Sequence, residues 1–155
     1  MTLTLTSSAF THNESIPRQY TCDDADAAPS LEWSGAPVGT KSFALIVDDP
    51  DAPDPKAPKM TYVHWVMYDL AATTQRLDGG KTPAGARDGL NDWKKTGYGG
   101  PCPPIGRHRY YFKLYALDAM LGDLGRSATK ADVEAAMRGH VLEKTELMGT
   151  YERSK

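Results

Sequence analysis

The stretch "GGPCPPIGRHRYYFKLYAL", residues 99–117, joins a run of Gly and Pro directly to a basic and aromatic segment. Residues 108–117 alternate with the period of a strand. One face would carry His108, Tyr110, Phe112 and Leu114, and the opposite face Arg109, Tyr111, Lys113 and Tyr115. The pattern predicts a long strand behind a stiff loop whose glycines allow a ligand to approach the backbone closely.

Further strands are predicted on both sides of this one. Period-two or short apolar patterns mark "TLTLT" (2–6), "SLEW" (30–33), "KSFALIVDD" (41–49), "TYVHWVMYDL" (61–70) and a closing strand near residues 142–151. In residues 61–70, strict alternation places one set of side chains on one face, namely Tyr62, His64, Val66 and Tyr68, and a second set on the other, namely Val63, Trp65 and Met67. These patterns predict a sheet-dominated fold.

Helix and loop signals complete the architecture. Thr129 and Asp132 form a capping-box pattern that predicts one helix, with Gly139 near its end. Residues 71–107 hold Gly and Pro throughout, which predicts a long irregular connection. The sequence therefore predicts a mainly antiparallel β sandwich with a peripheral helix.

Length and charge narrow the class of protein. A chain of 155 residues predicts one domain spanning residues 1–155. The net charge of −2 and the scattered basic residues disfavour a nucleic-acid partner. The N-terminal residues resemble neither a signal peptide nor a membrane span, so we expect a cytoplasmic protein without integral membrane association. In that compartment Cys22 and Cys102 are expected to be free thiols, with a disulfide as the alternative.

Two carboxylates and two imidazoles are the candidate chemical groups. Asp49 and Asp51 flank a proline, and such proximity is expected to raise the apparent pKa of one carboxyl by repulsion. His64 lies inside an apolar strand, where a histidine is more often structural than functional. His108 and Tyr110 lie two residues apart on one face behind the Gly/Pro loop, which favours a preorganised pocket rim.

These groups are compatible with two kinds of ligand. Backbone amides near Gly100, a tyrosine hydroxyl and imidazoles suit a small oxyanion, provided that a proton or a ligand ammonium offsets the aspartates. Phosphoethanolamine carries both the oxyanion and an ammonium that could offset the aspartates. The alternative is a divalent metal held by Asp49, Asp51, His64 and His108 in a metal-assisted hydrolase.

The sequence as a whole resembles the phosphatidylethanolamine-binding protein family, in its bacterial and archaeal branch of Raf kinase inhibitor-like proteins. The resemblance rests on "LEWSGAPVGTKSFALIVDDPDAP", "HWVMYDL", "NDWKKTGYGGPCPP", "HRYYFKLYALD" and "GHVLEKTELMGTYER", which follow in the family's order. It implies a sandwich with Greek-key connections and one or two peripheral helices. It also implies a pocket for phosphate-like anions or phosphorylated head groups, formed by Asp49, Asp51, His64, Gly100, Pro101, His108 and Tyr110.

The same resemblance implies a role in binding rather than catalysis, without a cofactor or a bound metal. The ligand would be a small phosphorylated molecule or anion, and the protein partner would be a kinase or a protease. A protease inhibitor acting through a surface loop is a further alternative, and a homodimer is compatible with the resemblance.

Overall fold

The computed structural model of the chain describes residues 2–153. Its strands are β1 Thr4–Thr6, β2 Leu31–Ser34, β3 Ser42–Ala52, β4 Met60–Ala71, β5 Arg76–Leu77, β6 Arg87–Asp88, β7 His108–Leu117 and β8 Val141–Tyr151. One α-helix, α1, spans Lys130–Met137, and Arg18–Tyr20 form a single 3₁₀ turn. Each predicted strand lies where the sequence pattern placed it, and the capping box of Thr129 and Asp132 is formed at the start of α1.

The strands form two antiparallel sheets. The larger sheet has the order β6-β4-β3-β7-β8, and the smaller has the order β1-β2-β5. β3 is therefore central, hydrogen-bonded to β4 on one side and to β7 on the other. The predicted antiparallel sandwich with a peripheral helix is confirmed.

The central strand β3 separates two apolar clusters. Phe43, Leu45 and Val47 pack with residues of the smaller sheet in the main core. Ala44 and Ile46 face the opposite side, where α1 covers the sheet with Val133 and Met137. Burial on both faces explains why residues 43–47 are an unbroken apolar run. The pattern of β7 is also confirmed, since Tyr110, Phe112 and Leu114 belong to the main core.

The predicted faces of β4 are wrong at its start, because the strand contains a bulge. Val47 pairs with Trp65 while Asp48 pairs with Val63, so His64 has no opposite residue on β3. Val63 consequently packs on the helix side. His64 instead faces the side of Tyr110, with the two ring centroids 5.1 Å apart. A bulge re-aims a side chain in this way, and strict alternation cannot anticipate it.

A second irregularity lies near the end of β4. Phe43 pairs with Leu70 and Leu45 with Met67, so one extra residue is accommodated there. Asp69 takes a positive φ of 57°. Its buried carboxylate accepts hydrogen bonds from the backbone N–H groups of Leu121 and Gly122, at 2.7 and 3.0 Å. The bulge returns Leu70 to the main core and ties the end of β4 to the segment before α1.

The two cysteines are bonded to each other. Cys22 and Cys102 form a disulfide across a sequence separation of 80 residues. The expectation of free thiols is therefore wrong, because the loops that hold the two residues lie side by side.

No helix in residues 2–153 is long and apolar enough to cross a membrane.

Candidate functional site

A cavity of about 330 Å³ lies at the end of the larger sheet, beyond the main core. Strands β3, β4 and β7 supply its polar side chains, and the Gly/Pro loop closes one wall. The lining residues are Asp49, Ala52, Pro53, Met60, Tyr62, His64, Trp93, Cys102, Pro103, Pro104, His108 and Tyr110. The structure thus brings together four of the seven predicted site residues, Asp49, His64, His108 and Tyr110.

Asp49 and His108 form a buried pair in this cavity. Oδ2 of Asp49 lies 2.6 Å from Nδ1 of His108, and both side chains are almost completely buried. Oδ1 of Asp49 accepts a hydrogen bond of 2.7 Å from the backbone N–H of Asp51. Burial raises the pKa of the Asp49 carboxyl, while the hydrogen bond from His108 acts in the opposite direction.

The surroundings of His108 determine how many protons the pair holds. Nε2 of His108 lies 2.8 Å from the carbonyl oxygen of Ile105 and 3.1 Å from that of Pro53. Carbonyls only accept, so Nε2 carries a proton. A second proton lies between Nδ1 and the Asp49 carboxyl. Whichever atom holds this proton, the pair bears no net charge.

His64 is neutral and has a fixed tautomer. Its Nδ1 lies 2.7 Å from the carbonyl oxygen of Gly99, so Nδ1 carries the proton and Nε2 is an acceptor. Burial lowers the pKa of His64 to about 4, and the bond to Gly99 only partly opposes this effect. At neutral pH this imidazole therefore offers a lone pair rather than a positive charge.

Aromatic rings surround His64. The centroids of Tyr62, Trp93 and Tyr110 lie 5.4, 5.1 and 5.1 Å from that of His64, all with edge-on geometry. Trp93 is 41% exposed, so it stands at the mouth of the cavity. Burial raises the pKa of Tyr62 and, strongly, that of Tyr110. Both side chains consequently remain hydroxyls near neutral pH.

Asp51 does not line the cavity. Its carboxylate accepts hydrogen bonds from the Arg109 guanidinium at 2.7 and 2.9 Å and from the Arg109 backbone N–H at 2.9 Å. These bonds lower the pKa of Asp51. The pKa of Asp49 does rise as predicted for one carboxyl, but the main cause is burial rather than repulsion by Asp51. Asp51 anchors β3 to β7 beside the cavity.

Gly100 and Pro101 also lie outside the lining, behind the wall that Cys102 and Pro103 form. The backbone N–H of Gly100 donates to Oδ1 of Asp26 at 2.8 Å. It is therefore not available to a ligand, contrary to the prediction from the sequence. The carbonyl of Pro101 accepts a bond of 3.1 Å from the N–H of Cys22. Both residues fasten the wall to the segment that precedes β2.

This fastening predicts that Gly100→Ala is destabilising. A Cβ at Gly100 would overlap Oδ1 of Asp26 and the carbonyl oxygen of Tyr20, and it would disrupt the Gly100–Asp26 hydrogen bond. We expect a loss of about 2 kcal/mol in the free energy of unfolding, measured by urea denaturation. Gly80→Ala is the matched control, since its Cβ would meet only ordinary contacts. Equal stability of the two variants would contradict this account of the wall.

Sequence reasoning missed several lining residues. Trp93, Met60 and Pro53 come from loops or from a strand end, where no periodicity marks them. Asp26, which holds Gly100 from 74 residues away, gave no signal at all. Of these residues only Trp93 differs from an ordinary surface position, because it is an aromatic residue in a Gly-rich and Lys-rich loop.

The four candidate metal ligands do not converge. Asp51 is engaged by Arg109, and the Asp49 carboxyl shares a proton with His108. Within residues 2–153, no three His, Cys, Asp or Glu side chains are grouped as a metal ion requires. The donor geometry therefore gives no support to the four-ligand metal site considered from the sequence.

The architecture and the cavity together define an antiparallel β-sandwich protein with an imidazole- and tyrosine-lined cavity at one end of its larger sheet. The family model described as phosphatidylethanolamine-binding protein matches residues 6–152. The chain therefore belongs to the phosphatidylethanolamine-binding protein family, as its motifs indicated.

Relatives from bacteria and archaea cover nearly the whole chain. A UPF0098 protein of Methanothermobacter thermautotrophicus is 45% identical over 97% of this chain and 99% of its own length. Among solved structures, the putative phosphatidylethanolamine-binding protein homologue CT736 of Chlamydia trachomatis has a TM-score of 0.91 at 40% identity, covering 99% of both chains. Escherichia coli YbcL has a TM-score of 0.89 at 32% identity, covering 99% of this chain and 100% of its own.

Proposed function

We propose that the protein is a non-enzymatic binding protein whose cavity takes a small phosphorylated ligand, represented by phosphoethanolamine. The observation that carries the proposal is the mixed donor and acceptor character of a cavity whose Asp49–His108 pair bears no net charge. A site without net charge, offering both hydroxyl donors and an imidazole lone pair, suits a ligand that itself has both donors and acceptors. Membership of the family supports the same class of ligand.

The phosphate oxygens have donors available in the cavity. Burial keeps the Tyr110 side chain protonated by raising its pKa, so its hydroxyl can donate to an oxyanion. Tyr62, whose pKa is also raised, offers a second hydroxyl nearer the mouth. Because the Asp49–His108 pair bears no net charge and Asp51 is paired with Arg109, neither aspartate repels an anion as an unpaired carboxylate would.

The amine end of the ligand has its own partners. The rings of Tyr62 and Trp93 lie with centroids 4.9 Å apart at the mouth, and an ammonium is attracted to aromatic faces. Nε2 of neutral His64 can accept a hydrogen bond from an ammonium N–H or from a P–OH group. The cavity thus favours a zwitterion or a monoanion over a fully ionised anion.

The other functions considered from the sequence gain less support. The carboxylate of Asp51 is hydrogen-bonded to Arg109 and is not available as a metal ligand, which disfavours the metal-assisted hydrolase. Regulation of a kinase, inhibition of a protease through a surface loop, and a homodimer stay predictions. The cavity itself favours none of them.

Tyr110→Phe tests the proposed role of the cavity. Losing one hydrogen bond to the phosphate is expected to weaken phosphoethanolamine binding about tenfold, equivalent to roughly 1.4 kcal/mol. Isothermal titration calorimetry would give the affinity, and Tyr115→Phe, on the opposite face of β7, is the matched control. Ethanolamine and inorganic phosphate alone are each expected to bind more weakly than the joined molecule.

Two results would overturn the proposal. Unchanged affinity in Tyr110→Phe, with backbone amide shifts that leave out His64, His108 and Tyr110, would place the ligand outside the cavity. Release of inorganic phosphate from phosphoethanolamine, followed by ³¹P NMR, would show an enzyme instead of a binding protein.

A further inference from the structure

Trp93 is an exposed aromatic residue whose position at the mouth of the cavity is fixed by its surroundings. It belongs to the loop of residues 91–97, between β6 and β7, which we call the Trp93 loop. Its ring lies edge-on to those of Tyr62 and His64, with interplanar angles of 73° and 77°. A ring that is held in place before binding loses little conformational freedom when a ligand arrives.

The buried side chain of Asn91 holds the Trp93 loop in shape. Its Oδ1 accepts hydrogen bonds from the backbone N–H groups of Trp93 at 2.9 Å and Lys95 at 3.2 Å. Its Nδ2 donates to the carbonyl oxygen of Gly97 at 3.1 Å. Three backbone groups of the loop therefore depend on one amide. One of the three belongs to Trp93, so Asn91 fixes the backbone from which the indole projects.

The loop is also fastened to β4 beside the cavity. Oδ2 of Asp92 accepts a hydrogen bond of 2.7 Å from the backbone N–H of Val63, and the N–H of Asp92 donates to the carbonyl of Val63 at 2.9 Å. At the next residue of β4, the carbonyl of His64 accepts a bond of 2.9 Å from the N–H of Gly99. Residues 92–99 are thus attached to the segment of β4 that carries His64.

Gly99 provides the space that the indole occupies. A Cβ at position 99 would overlap Cε3 and Cζ3 of Trp93, so the ring lies directly against the backbone of Gly99. The carbonyl of Gly99 in turn accepts the hydrogen bond from Nδ1 of His64. The indole is therefore confined by Gly99, Tyr62 and His64. This contact explains a glycine at position 99, where the backbone has no positive φ.

We propose that Trp93 gives the cavity its specificity for phosphate monoesters whose other end is an ammonium, and that Asn91 and Gly99 are the positioning residues of its ring. The inference rests on the proposed function, because it concerns the amine end of the same ligand. Among aromatic side chains an indole attracts an ammonium most strongly. Trp93 therefore discriminates between ligands at their amine end and leaves the phosphate contacts to other residues.

Propyl phosphate isolates the amine end, because a methyl group replaces the ammonium while the phosphate monoester and the chain length stay the same. The wild type is expected to bind phosphoethanolamine about tenfold more tightly than propyl phosphate. In Trp93→Leu, which keeps an apolar side chain without a π face, this ratio of affinities should fall about fivefold. Isothermal titration calorimetry with both esters gives the ratio.

Variants of Asn91 test the positioning role, because Asn91 does not line the cavity. Asn91→Ala should lower the ratio about as far as Trp93→Leu does, although the indole is still present. Asn91→Asp keeps an acceptor for the N–H groups of Trp93 and Lys95, and it should restore most of the ratio. The double variant of Asn91→Ala and Trp93→Leu should have the ratio of Trp93→Leu alone, because Asn91 acts through Trp93. Thr96→Ala, at an exposed side chain of the same loop, is the matched control.

The position of the indole can be measured without a ligand. The ring centroids of His64 and Trp93 lie 5.1 Å apart, so the indole's ring current shifts the ring protons of His64. In ¹H–¹³C spectra these shifts should change in the same direction in Asn91→Ala, Gly99→Ala and Trp93→Leu. Thr96→Ala should leave them as in the wild type.

The outcomes separate this inference from the proposed function. If the wild type binds neither ester, the proposed function and the specificity role of Trp93 fail together. If it binds both esters equally, or if Trp93→Leu keeps the wild-type ratio, the cavity remains a phosphate-ester site and only the specificity role is overturned. The positioning role is overturned if the ring shifts of His64 do not change in Asn91→Ala, or if the double variant loses more of the ratio than Trp93→Leu.

Discussion

Replacing Cys22 and Cys102 by serine is expected to lower the free energy of unfolding by about 4 kcal/mol. The disulfide joins residues 80 positions apart, so its loss releases a long loop in the unfolded chain. In the chain-entropy account the stabilisation grows with the logarithm of the loop length, which places this bond near the upper end of the usual range. No other substitution proposed for this protein is expected to cost as much.

The native fold is nevertheless expected to survive this change. Three hydrogen bonds hold the same two segments together, from the N–H of Cys22 to the carbonyl of Pro101, from Gly100 to Asp26, and from the Tyr98 hydroxyl to the carbonyl of Tyr20. Both cysteines are half-buried, so serine hydroxyls at these positions can reach water. The loss should therefore appear in the unfolding midpoint rather than as failure to fold.

Urea denaturation of the wild type and of the double variant at pH 7 gives the comparison. Reduction of the wild type with a dithiol should reproduce the stability of the variant within error, because it removes the same cross-link. Thiol titration of the denatured, unreduced protein should find no free thiol. Two free thiols in that titration, or equal stability of both proteins, would show that the bond is absent or contributes nothing.

The sequence was informative where a side chain's environment repeats along the chain. The strand pattern of residues 108–117 and the apolar run of residues 43–47 correspond to β7 and β3, because burial on one or both faces determines residue type directly. The capping box likewise determined where α1 begins, since its two hydrogen bonds need only local geometry. Local and periodic signals are readable without the tertiary structure.

The sequence was uninformative where distant segments decide the outcome. The bulge at His64 depends on pairing with β3, and the disulfide depends on two loops lying side by side. No local pattern encodes the strand pairing that forms the bulge or the contact between the two loops.

A disulfide is typical of oxidising compartments, so this bond weighs against the cytoplasmic prediction, which had rested on the N-terminal residues.

The candidate site shows the same division. His64, His108, Tyr110 and Asp49 were found because their chemistry stands out within apolar strands. Asp51 looked equivalent to Asp49, yet the bond to Arg109 removes it from the cavity. Two aspartates flanking a proline can face different partners, because the chain bends and shifts register between Asp49 and Ala52. Residue type identified the chemistry, and only the backbone course showed which atoms face the ligand.

Acidification is expected to destabilise the protein through His64, with a loss of about 3 kcal/mol between pH 6.5 and pH 4. Burial lowers the pKa of His64 to about 4 in the folded chain, against about 6.5 when unfolded. Between these values the unfolded chain binds a proton that the folded chain does not. The contribution of neutral His64 to the free energy of unfolding is therefore complete above pH 6.5, and it is lost as the pH falls from 6.5 to 4.

The variant His64→Asn isolates this contribution. Asparagine does not titrate, and its side-chain amide can still donate to the carbonyl of Gly99. The raised pKa of Asp49 acts with the opposite sign in both proteins, because its folded carboxyl gains a proton more readily than the unfolded one. Urea denaturation at a series of pH values should then show a loss on acidification that is smaller in His64→Asn by about 3 kcal/mol. Identical acid sensitivity of the wild type and His64→Asn would mean that His64 is not the group responsible.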